Sequence, residues 1–101
     1  MRIISKSIDF SAQDELLQDI APLNDFLLLD IETTGLSAEH NAVYLIGCIY
    51  HQTDGWNLIQ WMDNTGNEEK EVLSSFLLSA SGYRILVHYN GDRFDIPFLR
   101  K

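Results

Sequence analysis

Phe26-Leu27-Leu28-Leu29-Asp30-Ile31-Glu32-Thr33-Thr34-Gly35-Leu36 is the stretch that decides the fold of this chain. Residues 26–31 form a nearly continuous apolar run, the pattern of a central strand covered on both faces. Thr33-Thr34-Gly35 ends it. Asp30 and Glu32 stand two residues apart at its end, so the strand's period of two puts both side chains on one face. Two carboxylates held together there repel each other unless a cation lies between them. Hard divalent cations take carboxylate oxygens, and Mg²⁺ typically binds through one or two of these together with water and phosphate. Taken alone, Asp-Ile-Glu has a second reading, in which the strand simply emerges into solvent at Asp30.

Working outward, residues 43–50 read as a second strand and residues 56–62 as a third, with Asp54-Gly55 as the turn signal between them. Residues 67–81 read as a helix. Asn67 is placed to cap it, Glu68, Glu69 and Glu71 occupy its first turn, and Val72, Leu73, Phe76 and Leu77 form one face. Gly82 is placed to end it. Residues 84–89 read as a fourth strand centred on Ile85, Leu86 and Val87, and Asp95 with Pro97 reads as a new helix start. Before the central strand, Ser11-Ala12-Gln13-Asp14 reads as a capping box. Leu16, Leu17 and Ile20 make a short apolar stripe behind it, and Pro22 stops that helix. Three strands close in sequence, then a helical crossover to a fourth, suggest an α/β fold with a mixed sheet and helices packed on it.

The chain of 101 residues has room for one domain, and its 46% apolar content is that of an ordinary globular protein. No apolar run approaches the roughly 18 residues that a membrane span requires. Arg2, Lys6 and Asp9 interrupt the first ten residues, which therefore do not read as a signal peptide. Cys48 is the single cysteine, which fits a reducing compartment, and a cytoplasmic location is the expectation. Seven Lys and Arg against fifteen Asp and Glu give a net charge of −8, the wrong sign for a chain that grips phosphates unaided. Either the partner is not nucleic acid, which composition alone slightly favours, or some carboxylates are metal ligands and the basic surface lies elsewhere.

Two stretches bear on that choice. Residues 28–36, a D-x-E followed by Thr-Thr-Gly-Leu, resemble the first motif of the DEDD superfamily of 3′–5′ exonucleases, which have a ribonuclease H-like fold. Val87-His88-Tyr89-Asn90-Gly91-Asp92-Arg93-Phe94-Asp95-Ile96-Pro97-Phe98-Leu99 resembles the second motif, in the form with an Asn shortly before Phe-Asp. Proofreading domains of family B DNA polymerases and bacterial YprB-like domains carry that form. Tyr44-Leu45-Ile46-Gly47 and residues 56–61 also look YprB-like. The resemblance covers residues 25–101 and leaves 1–24 as an N-terminal extension with a short helix.

The resemblance implies that Asp30, Glu32 and Asp95 are catalytic carboxylates holding Mg²⁺ or Mn²⁺, as a two-metal site in the family. It assigns Thr33, Thr34, Gly35, Leu36 and Asn90 to the 3′-terminal nucleotide of single-stranded DNA or RNA. Its topology places the 26–31 strand at the centre, with the second and third strands antiparallel in a meander on one side. The fourth lies parallel on the other side. The family also uses a fourth carboxylate, in a third motif with a Tyr or His as base, and these 101 residues contain no match to it. The expectations are accordingly a domain truncated before its fifth strand, weak metal binding and impaired hydrolysis. The alternative is an inactive remnant serving as an interaction module or without enzymatic role. The fourth strand would then be an unprotected edge, and a homodimer through it or through the C-terminal segment is expected.

Residue by residue, plainer roles stay open. Asp95 is well placed as a helix N-cap, Gly35 as a turn glycine, Leu36 as core, and Asn90-Gly91-Asp92 as turn chemistry. His88 reads as a strand histidine rather than a ligand, His40 and His51 as surface residues, and Cys48 as a buried inert thiol.

Overall fold

The computed structural model describes residues 1–35, 41–52 and 55–88. Five strands, β1 (Arg2–Ile8), β2 (Phe26–Thr33), β3 (Val43–Gln52), β4 (Gly55–Met62) and β5 (Ile85–His88), form one sheet in the order β1-β4-β3-β2-β5. The helices are α1 (Asp14–Gln18) and α2 (Glu69–Ala80), with single 3-10 turns at Ser11–Gln13 and Leu23–Asp25. The strand ending at the carboxylates lies in the interior of the sheet. β2 pairs antiparallel with β3 and parallel with β5, and β3 pairs antiparallel with β4. This is the mixed, ribonuclease H-like arrangement expected from the order of elements. Gly55, after the β3–β4 turn, has φ +132°, a conformation that a side chain would strain.

The core fills the face of the sheet under α2. Leu27, Leu29 and Ile31 of β2 meet Ile46 and Cys48 of β3 and Trp61 of β4, and Val72 and Phe76 of α2 close over them. Burying side chains of this size contributes about 1.5–3 kcal/mol each. The stripe on α2 is narrower than its sequence suggests. Leu73 is half-buried, while Leu77 is exposed, because the helix touches β3 and β4 along the line of Val72 and Phe76. Its start also differs, since Asn67 precedes the helix and does not cap it. Asp63 instead braces the loop before the helix, its carboxylate accepting the N–H groups of Thr65, Gly66 and Glu68 at 2.9, 2.7 and 3.0 Å. Burial raises the Asp63 pKa, yet those donors outweigh it and hold the group below its ordinary value.

Within residues 1–24 the structure adds a strand that sequence reading did not find. β1 pairs antiparallel with residues 56–62 of β4, from Arg2 opposite Met62 to Ile8 opposite Trp56. Its Ile3, Ile4 and Ile8 have the β-branched character of a strand. The short helix is present, but its capping box is not. Ser11 bonds through both N–H and hydroxyl to Asp9, at 3.2 and 2.7 Å, and Asp14 accepts Trp56 Nε1 at 2.6 Å. Leu16 and Ile20 face solvent, so the expected stripe does not pack as one. What anchors the segment is Trp56, which also meets Phe10 and His51 edge-on at 5.2 and 5.1 Å. Among the described residues no helix is long and apolar enough to cross a membrane.

Candidate active site

Alternation along β2 sorts its residues between the two faces of the sheet. Leu27, Leu29 and Ile31 are buried under α2, whereas Leu28, Asp30 and Glu32 face the other way, and both carboxylates are exposed. The neighbours opposite them are set by register. Leu28 lies opposite Ile49, Asp30 opposite Gly47 and Glu32 opposite Leu45. The next strand continues these rows with Leu58, Gln60 and Met62. Together they form a shallow depression of about 400 Å³, walled by Asp30 and Glu32 and floored by Leu45, Gly47, Leu58 and Gln60. Gly47 keeps the floor low beside Asp30, and a Cβ there would sit 3.6 Å from the Gln60 side chain.

Beyond Glu32 the β2–β3 register shifts, so that Thr33, the last residue of β2, pairs with Val43. Thr34 pairs its N–H with the Ala42 carbonyl at 3.0 Å, and its hydroxyl accepts the Ala42 N–H at 3.0 Å while bonding Asn41 Oδ1 at 3.2 Å. The Thr33 hydroxyl donates to the Gly35 carbonyl. Both hydroxyls therefore shape the loop that follows the carboxylates. Gly35 lies tightly against the Asn41 amide, which would have to move for a Cβ there, 2.5 Å from Asn41 Oδ1.

The donor set fits a hard cation. Asp30 and Glu32 offer only carboxylate oxygens, at the end of a strand held on both sides by ladder hydrogen bonds. Asp95, Asn90 and Leu36, the remaining residues expected at the site, lie outside the described residues, as do His40 and Asp92. Among the described residues no group of three potential ligands forms.

His88 and Cys48 lie on the opposite, α2 side of the sheet. His88 pairs with Leu29 in parallel register and so projects to the α2 side, where its Nδ1 is buried without a partner among the described residues. It is a strand histidine, as its setting in the sequence suggested. His51 is half-buried rather than a plain surface residue, bonded to Asn24 at 2.7 Å and packed on Trp56. Cys48 is buried, and desolvation pushes its thiol up to about 12, the state of an inert core group. Sequence reading missed Arg2 and Lys6, which β1 brings onto the same face as Asp30. Only the strand character of residues 2–8 could have hinted at this.

Residues 27–101 match the family model of the RNase H superfamily, and the chain belongs to that superfamily. The chain matches no curated protein. Membership points to nuclease-like action on nucleic acid, and the match begins on the strand that presents Asp30 and Glu32.

Proposed function

We propose that this chain is a metal-dependent 3′–5′ exonuclease-like domain of the DEDD group, similar to YprB-like domains, acting on the 3′ end of single-stranded DNA or RNA. One observation supports this most. Asp30 and Glu32 stand side by side on the open face of an interior strand, beside a depression of nucleotide dimensions. In this reading Asp30 and Glu32, with Asp95, hold Mg²⁺ or Mn²⁺, and Leu36 and Asn90 hold the terminal nucleotide. A divalent cation so held supplies charge neutralisation at the phosphate and a lowered pKa for the attacking water. Thr33, Thr34 and Gly35 fix the wall against which that nucleotide is placed. Cytoplasmic location belongs to the same reading, supported by the free, buried Cys48.

A 5′-labelled single strand incubated with Mn²⁺ should shorten from its 3′ end, and Asp30→Ala should abolish the ladder. The rate should be low, because these 101 residues match three of the family's four carboxylates and losing one member of a catalytic set costs orders of magnitude. A ladder that survives Asp30→Ala would contradict the site. No ladder, combined with metal binding indifferent to Asp30, would favour the interaction-module reading instead. We further propose a homodimer through β5 or the C-terminal segment, supported by the exposure of Leu86 and Val87. Sedimentation should find twice the chain mass at micromolar concentration, and a monomer would overturn it.

A further inference from the structure

Register carries the rows of the open face all the way to β1. Glu32 is followed across the sheet by Leu45, Met62 and Arg2. Asp30 is followed by Gly47, Gln60 and Ile4, and Leu28 by Ile49, Leu58 and Lys6. Paired residues of antiparallel strands project to the same side, so Arg2 and Lys6 share a face with the two carboxylates. β1 and β2 are three strand spacings apart, roughly 14 Å. Both cations are exposed, and neither makes an ion pair among the described residues. Between the two charged borders lie half-buried Leu45, Ile49, Leu58 and Met62. The face thus runs from anionic through largely apolar ground, interrupted by Gln60, to cationic, within a chain whose net charge is −8.

We propose that this face is a track for single-stranded nucleic acid, with Arg2 and Lys6 of β1 holding backbone phosphates upstream of the 3′ end. The inference rests on the nuclease reading above and adds to it the path of the strand. The terminal phosphodiester lies at Asp30 and Glu32, the preceding bases lay their faces on the apolar floor, and the chain leaves over β1. The spacing suits a short run of nucleotides rather than a single one, so the mononucleotide end and the cations are read by different parts of the substrate. This ordering answers the charge problem locally. A metal-bearing border neutralises its own carboxylates, and Arg2 and Lys6 stand where the backbone leaves the site.

The test is anisotropy titration of a 5′-labelled oligothymidylate with Ca²⁺ present, over a range of salt concentrations, for wild type, R2E, K6E and K70E. Lys70 is exposed on α2, so K70E makes the same change of charge away from the track. R2E and K6E should each weaken binding and lower the salt slope by about 0.7, the value for one phosphate contact on a single strand. K70E should leave the slope unchanged. Binding of a thymidine dinucleotide, too short to reach β1, should be the same in all four proteins. Should a charge reversal unpair β1, seen as lost protection of its amides, R2Q and K6Q replace it with the same expected slopes. Oligonucleotide binding that needs Asp30 but responds to R2E and K6E no more than to K70E would overturn the track and leave the nuclease reading standing. No binding by the wild type would overturn both.

Discussion

On the α2 side of the sheet, Leu29, Ile46, Cys48 and Trp61 are shut away from water. One residue along each of the same strands, Asp30, Leu45, Gly47 and Gln60 remain open. Backbone and pairing are shared by the two faces, and only the alternation of side chains separates them. The closed face shows what holds the chain together. The open face tolerates what a core would reject: two adjacent carboxylates, a glycine and an amide. A protein that needed the open face for stability would not have placed like charges there, since they repel and gain nothing from burial. On the proposed reading stability belongs to the closed face and function to the open one, and substitutions on each should behave accordingly.

The largest effect belongs to the closed face. Phe76→Ala should cost about 3–5 kcal/mol by removing a fully buried aromatic and leaving a cavity. Asp30→Ala should change stability by no more than about 0.5 kcal/mol while removing metal binding. Urea unfolding of both variants checks this division, which breaks if Asp30→Ala is the more destabilising.

The open face itself is not uniform, and a second prediction sharpens its boundary. At the end near Phe26 it is covered by residues 9–25 through Trp56. Trp56→Phe keeps most of the ring but loses the bond to Asp14, and should cost about 1.5–3 kcal/mol, as for hydrogen bonds to charged groups. Metal affinity at Asp30 should not change, which calorimetry with Mn²⁺ would check. A parallel fall in both would mean that the covered and open ends are coupled.

The smallest effect lies at the start of α2, where acidic residues are structural. Asp63 is held below its ordinary pKa in the folded chain, so its contribution is present above the unfolded value and is lost as pH falls through the folded one. Asp63→Asn should flatten that part of the acid limb of stability, whereas Asp30→Ala should leave it as it is. Thermal melts across the acid range distinguish them.

How far this was legible in the sequence follows from the range of the forces involved. The strands β2, β3, β4 and β5 could be read because apolar runs and a Gly-containing turn mark them locally, while their order and pairing were what the family resemblance implied. The face shared by Asp30 and Glu32 follows from strand periodicity alone. The start of α2 was misread because the loop before it is held by Asp63, which lies outside the window in which Asn67 looks like a cap. β1 escaped notice because Arg2, Ser5, Lys6 and Ser7 dilute its pattern, and its strand conformation is completed by β4, far along the chain. The cations of the open face were invisible for the same reason, since only the register across four strands puts Arg2 in line with Glu32. A short strand takes its meaning from its neighbours.

On the proposed reading a divalent cation binds at the open face and not at the acidic start of α2. Mn²⁺-induced broadening of backbone amide signals tests it most directly, because each group of carboxylates reports separately. At low Mn²⁺ the amides of Asp30, Ile31, Glu32 and Gly47 should broaden first, and Asp30→Ala should abolish that, with Glu68, Glu69 and Glu71 unaffected. Broadening that begins at Glu68 to Glu71, or that is indifferent to Asp30→Ala, would contradict the account.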